Sequence, residues 1–205
     1  IARTLQGLQW ADRVVVLDSG SSDGTEALAR AFANVDWQVR AFDDHAAQCN
    51  HAIDHLAGDA EWLLFLDADY VLPPAFAAEL SALEAQPAVA AYRAKFRYCV
   101  AGHPLRGALY PPRTVLFRPS AGRYEQQGHA QELRLDGLVR DLATPILHDD
   151  RKPWSRFLAN QRRYAELEAE WLHRQAWTRL RWPDRARRLL VVAPWAAPLL
   201  ALARG

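Results

Sequence analysis

Two groups of carboxylates stand where short apolar runs end. Arg13-Val-Val-Val-Leu-Asp18 runs into Asp18-Ser-Gly-Ser-Ser-Asp23-Gly-Thr25, and Glu61-Trp-Leu-Leu-Phe-Leu66 runs into Asp67-Ala-Asp69. A flexible Ser/Gly turn before a helix offers backbone N–H groups to an anion or a hydroxylated ligand. Asp18, Ser19, Ser21 and Asp23 are therefore candidate ligand-binding residues. Asp67 and Asp69 alternate in direction if the strand continues through them. At a turn they can share a divalent cation, or one can bond a ribose while the other holds the ion. A few carboxylate oxygens completed by substrate phosphates suit Mg²⁺ or Mn²⁺. Each group alone has a plainer reading, because Asp is a common turn and cap residue. Both together, at the ends of two apolar strands, are harder to ascribe to turns.

The elements that must position these groups alternate. Arg13–Asp18 suits a buried parallel strand, and Gly24–Phe32 a helix with Ser22 or Asp23 as its N-cap. Trp37–Phe42 reads as a strand, His45–Leu56 as a helix and Glu61–Leu66 as a third strand. Pro73-Pro74 opens a helix reaching about Leu83. Such repetition predicts an α/β fold with a mostly parallel, doubly wound central sheet, whose ligands bind beyond the carboxyl ends of the strands. After Ala90 the pattern changes. Ala91–Val100, Arg113–Arg118 and Gln131–Leu135 read as strands, and Trp154–His173 as a long helix. The division expected is a catalytic domain over 1–150 and a helical, Arg/Trp-rich extension over 151–205. Ile1–Leu8 already reads as a helix and the chain contains no Met, so a strand or more is expected upstream.

Composition narrows the class. Of 205 residues, 50% are hydrophobic, which excludes disorder, and two cysteines exclude a disulfide scaffold or a cysteine-rich zinc site. A net charge of +1 conceals a split. Residues 1–150 carry 13 Lys+Arg against 20 Asp+Glu, a net of −7; residues 151–205 carry 12 against 4, a net of +8. The acidic body would repel a phosphate backbone, so no nucleic-acid partner is expected. Arg179, Arg181, Arg185, Arg187 and Arg188 interleave with Trp177, Trp182 and Trp195, which suits an interfacial helix on anionic headgroups. The apolar stretch Leu189–Leu202 is too short to span a bilayer and is interrupted by two prolines.

Val15-Val-Leu-Asp-Ser-Gly-Ser-Ser-Asp-Gly-Thr25 and Gly58-Asp-Ala-Glu-Trp-Leu-Leu-Phe-Leu-Asp-Ala-Asp69 resemble the nucleotide-binding turn and the D-x-D segment of family 2 glycosyltransferases. The likeness is to the bacterial branch that includes lipopolysaccharide-core β-glucosyltransferases. It continues through Arg106-Gly, Tyr110-Pro-Pro-Arg113, Leu116-Phe-Arg118, Ile146-Leu-His148 and the helix containing Tyr164, covering most of residues 1–175. The resemblance implies a Rossmann-like GT-A fold and a metal-dependent, inverting hexosyltransferase. Its donor would be a nucleotide sugar, a UDP-sugar in that branch, and its acceptor a glycan or lipid-linked sugar of cell-envelope polysaccharide synthesis. Asp18 is then expected at the nucleobase or ribose, with Asp23 supporting that turn. Asp67 is expected at ribose or diphosphate, and Asp69 at the metal. A His-Glu pair of relatives falls in Gly128-His-Ala-Gln-Glu132, which makes Glu132 the candidate base with His129 as support or substitute. In the alternative register His129 matches the His, and Ala130 takes the carboxylate position.

Three departures bear on donor binding. Gln48-Cys49-Asn50 carries Cys49 where many relatives have a basic residue, so His45, His51 or Arg113 would have to meet the diphosphate. Tyr70 stands where Glu is common. His148-Asp149-Asp150 either positions the acceptor or caps the helix near Pro153. Two rivals remain: a haloacid-dehalogenase-type phosphatase with Asp67 as nucleophile and Asp69 as acid/base, and a degenerate nucleotide-sugar-binding domain. With no signal peptide, the expected location is cytoplasmic, peripheral on the inner face of the cytoplasmic membrane.

Overall fold

The computed structural model describes residues 1–84, 86–100, 102–106, 110–127, 130–188 and 199. His129 and most of the apolar stretch after Arg188 lie outside the described residues. The chain opens with α1 (Ala2–Gln6), β1 (Val14–Asp18), α2 (Thr25–Arg30), β2 (Val35–Val39) and α3 (His45–His51), which runs on through a wider turn at Ala52–Leu56. β1 and β2 pair in parallel, Val14 opposite Val35, as expected of strands joined by a helix. The first residue of α2 is Thr25, with Gly24 at the cap position and no side-chain cap bond. Asp23 instead accepts from the Thr25 amide at 3.0 Å, so neither Ser22 nor Asp23 caps in the expected way. Asp44 caps α3 by accepting from the Ala47 amide at 2.7 Å.

The third strand is shorter than its apolar run. Only Leu63–Leu64 (β3) pairs, antiparallel to β8 (Arg113–Phe117), before the chain turns at Asp67 into β4 (Tyr70–Val71) and α4 (Pro74–Ser81). The expected strand Ala91–Val100 is two strands, β5 (Val89–Ala94) and β6 (Phe96–Val100), which break at Lys95. β5 lies between β8 and β11 (Leu138–Asp141), while β6 lies between β7 (His103–Pro104) and β12 (Ile146–His148), whose other neighbour is β4. β9 (Gly122–Gln127) and β10 (Ala130–Leu135) form a separate antiparallel pair.

Among the described residues the strands therefore form four short sheets of mixed direction rather than one mostly parallel sheet. Apolar runs such as Glu61–Leu66 show that a strand is buried but not which way its neighbour runs. The chain's switch of sheets at Lys95 has a direct consequence, because it brings β12 beside the strand that follows the D-x-D turn.

The main core joins Leu8, Tyr70, Leu72, Phe76, Tyr92, Phe96, Leu116, Leu142 and Ile146. Leu5, Ala29 and Trp37 form a second cluster beneath β1 and β2, and Val14 touches both. Burying a side chain such as Phe76 or Ile146 contributes about 1.5–3 kcal/mol. α5 (Trp154–Arg174) and α6 (Trp182–Arg188) pack against each other. Among the described residues, no helix is long and apolar enough to cross a membrane.

Candidate active site

The first turn is built by its own aspartate. Asp18 ends β1, and its carboxylate accepts from the Gly20 and Ser21 amides at 2.7 Å and from the Ser21 hydroxyl at 2.6 Å. Partial burial pushes this carboxyl up, but the Ser21 hydroxyl and amide and the Gly20 amide outweigh it, so it titrates below the usual range. Gly20 has φ +91°, a left-handed conformation that a side chain would strain. Asp18 and Ser21 thus hold the turn's shape, while Ser19 faces α3, where its hydroxyl accepts from Gln48 at 3.2 Å. The exposed Asp23 is held low by the Thr25 hydroxyl and amide.

The second turn lies against the same helix. A cavity of about 990 Å³ between β1 and β3 is bordered by Leu17, His45, Gln48, Cys49 and Asp67. Leu17, the residue before Asp18, and Asp67 therefore border one cavity next to α3, and Ser19 is tied to that lining through Gln48. Burial and the charge of Asp67 push the Cys49 thiol up to about 12, so Cys49 is a neutral thiol at physiological pH. Asp67, Tyr70, Arg113, Tyr124 and Glu132 share a neighbouring cleft of about 350 Å³. Arg113 donates to the Tyr110 hydroxyl at 3.1 Å, and its guanidinium sits where Asp67 and Tyr70 act on it. It is a half-buried cation beside the position at which Cys49 lacks one. Tyr70 is buried, its hydroxyl 3.3 Å from that of Tyr110, so it belongs to the wall of the site.

Asp67 and Asp69 face different ways. The turn closes through the Tyr70 amide, which donates to the Asp67 carbonyl at 3.0 Å, and sends Asp69 toward β12. There Asp69, His148 and Asp150 offer ligand atoms that all lie within 4.8 Å of one another. His148 Nε2 is 3.5 Å from Asp69 Oδ2, and the imidazole is surrounded by Tyr70, Tyr98 and Tyr110 at ring-centre distances of 5.2, 5.0 and 5.5 Å. Burial pushes the Asp69 carboxyl up, and His148 and then Lys152 outweigh this to hold it below the usual range. The Lys152 ammonium lies 3.7 Å from Asp69 and 3.2 Å from Asp150.

Asp69 Oδ1 and His148 Nδ1 are buried without a hydrogen-bond partner. Orphaned buried polar atoms are costly unless a ligand completes them. Two carboxylates and an imidazole fit a divalent cation, and the oxygen-rich set suits Mg²⁺ or Mn²⁺. Residues 148–150 do not cap the following helix: α5 begins after Pro153 with no side-chain cap bond. The family resemblance puts Asp69 at the metal and names neither His148 nor Asp150 there. His148 and Asp150 carried a signal only as a polar cluster closing an apolar strand.

Glu132 lies on β10 opposite Glu125 of β9, with Arg134 at 3.4 Å. It lines the cleft with Asp67, while His129 is outside the described residues.

The sequence profile of glycosyl transferase family 2 matches residues 1–127. The chain belongs to this family. As a family 2 glycosyltransferase it is Rossmann-like α/β in its core, in agreement with the strand–helix alternation from β1 to α4. It is 24% identical over 184 residues to the lipopolysaccharide core biosynthesis glycosyltransferase LpsC of Rhizobium meliloti (strain 1021). That alignment covers 83% of this chain and 66% of the relative, so the chain spans just under two thirds of that protein's length. Family 2 membership displaces the phosphatase reading of Asp67 and Asp69.

Proposed function

We propose that this family 2 glycosyltransferase moves a hexose, with inversion, from a UDP-sugar to a glycan or lipid-linked acceptor of cell-envelope polysaccharide. The observation that carries the reading is the gathering of Asp69, His148 and Asp150, two of them with orphaned buried atoms, with Asp69 two residues along the chain from Asp67, which lines both cavities. The relative's description as a lipopolysaccharide core glycosyltransferase supports the choice of acceptor class.

In this reading the Asp18 turn receives the nucleoside, with its Ser19 edge and Gln48 toward the ribose. Asp67 and Arg113 line the path of the diphosphate. Asp69, His148 and Asp150 hold Mg²⁺ or Mn²⁺, which when bound offsets the charge that grows on the departing diphosphate. Lys152 leaves its two carboxylates and turns to the phosphate oxygens. Glu132 takes the proton of the acceptor hydroxyl as that oxygen attacks the anomeric carbon from the face opposite the leaving group. One carboxylate base suffices for a single displacement.

Calorimetry with UDP and Mn²⁺, followed by a donor screen by mass spectrometry, tests this. UDP is expected to bind several-fold more tightly with Mn²⁺ than without, and one UDP-hexose to be consumed when acceptor is present. UDP binding with no turnover of any donor would leave a nucleotide-sugar-binding domain.

The C-terminal helices fit a peripheral position on the cytoplasmic membrane face. Trp154 is 69% exposed and Trp182 79%, and Leu158, Tyr164, Leu167 and Trp177 are exposed as well. Lys or Arg near an anionic surface contributes about 1 kcal/mol each. The chain is expected to sediment with phosphatidylglycerol vesicles and not with phosphatidylcholine vesicles. Arg179→Glu with Arg181→Glu, or Trp182→Ala, should release it. No sedimentation with phosphatidylglycerol vesicles would remove the membrane contact, and equal sedimentation with both lipids would remove its dependence on anionic headgroups.

A further inference from the structure

We infer that α1 is a clamp on the metal-binding residues, with Arg3 and Thr4 as positioning residues for Asp69, His148 and Asp150. The inference rests on the metal reading proposed above. Thr4, 5% exposed, donates its hydroxyl to the Ala68 carbonyl at 2.7 Å. Ala68 is the residue between Asp67 and Asp69. Arg3 reaches Asp149 twice, through an ion pair with its carboxylate, which also accepts from Arg151 at 2.9 Å, and a 2.8 Å bond to its carbonyl, which holds the backbone. Asp149, 4% exposed, is the residue between His148 and Asp150. Neighbouring residues of one helical turn thus each grip the middle of one ligand-bearing segment. The Asp149 amide closes the third side by donating to the Asp69 carbonyl at 3.1 Å.

None of these bonds uses a ligand side chain. They act on the backbone and on the residues between the ligands, and so leave the ligands free for an ion. Apart from the clamp, the two segments are joined through the ligand side chains and Lys152 and through a short backbone ladder. β4 and β12 pair over only two positions, Val71 opposite Leu147 and Tyr70 opposite His148. A metal site tolerates displacements of only about 0.5 Å, and Arg3 and Thr4 add anchors at the ligand-bearing ends, beyond this ladder. Arg3 also grips a carboxylate and a carbonyl at once with its planar fork, which a lysine ammonium cannot reproduce.

The test measures Mn²⁺ affinity by electron paramagnetic resonance on the full chain, alongside UDP affinity without metal and the melting temperature. Outer residues that orient metal ligands typically contribute 10–100-fold in metal affinity. Arg3→Ala, Arg3→Lys and Thr4→Val are each expected to weaken Mn²⁺ binding by about that factor, with metal-free UDP affinity unchanged. Thr4→Ser keeps the hydroxyl and should bind Mn²⁺ as the parent does, which separates the bond from general packing in α1. At saturating Mn²⁺, kcat should return close to the parent value. Parent-like Mn²⁺ affinity in Arg3→Lys and Thr4→Val would overturn the clamp and leave the metal reading standing. Parallel loss of metal-free UDP affinity and melting temperature would also overturn it, by making α1 a general support. No Mn²⁺ binding by the parent chain would overturn both.

Discussion

Asp69→Asn is expected to lower turnover by about 10²–10³-fold, the range seen when one preorganised group facing developing charge is removed. The change is nearly isosteric and removes only the charge, so the melting temperature should move little. The reason for so large an effect is where the residue stands. Asp69 pairs with both His148 and Lys152, and its second oxygen is buried without a partner. An amide there presents N–H groups to an ion or to Lys152, so Mn²⁺ affinity should fall together with turnover. The measurement is steady-state turnover across a Mn²⁺ titration. Parent-like turnover in the variant would take Asp69 out of the chemistry.

Glu132→Gln should have a comparable or larger effect by a different route. General base catalysis contributes about 10²–10⁴-fold, and glutamine cannot accept the acceptor's proton. Glu132 lines the cleft that holds Asp67 and Arg113, but it is not among the residues gathered at Asp69. The variant should therefore bind UDP and Mn²⁺ normally and lose kcat with little change in donor KM. That division distinguishes it from Asp69→Asn, in which metal affinity and turnover fall together. If Glu132→Gln turns over normally while His129→Ala does not, the proton goes to His129.

Much of the first half was legible because its signals are local. Three β-branched residues before Asp18, and the Ser/Gly run after it, describe a strand and a turn without reference to the rest of the chain. The same holds for the apolar run before Asp67. The partners of these segments were not legible. Nothing in Leu63–Leu64 states that β8 runs antiparallel beside it, and nothing at Lys95 states that the chain changes sheets there. The metal cluster follows from those two facts. His148 and Asp150 reach Asp69 only because β12 lies between β6 and β4. In the sequence they look like a helix cap, since short polar residues before Pro153 suit that role equally well. Asp18 illustrates the opposite case: its turn-forming role, the plainer reading, is what its hydrogen bonds show.

The two hydrophobic clusters meet at Val14 and are otherwise separated by the cavity between β1 and β3. The nucleoside end of a donor would rest on one cluster's strands, and its phosphates on the other's. A bound donor would then act as a strut across a seam, and part of its binding energy would go into holding the halves in register. Nucleotides cut short on either side of the diphosphate would lose that bracing altogether, so affinity should fall by more than the contacts of the missing piece.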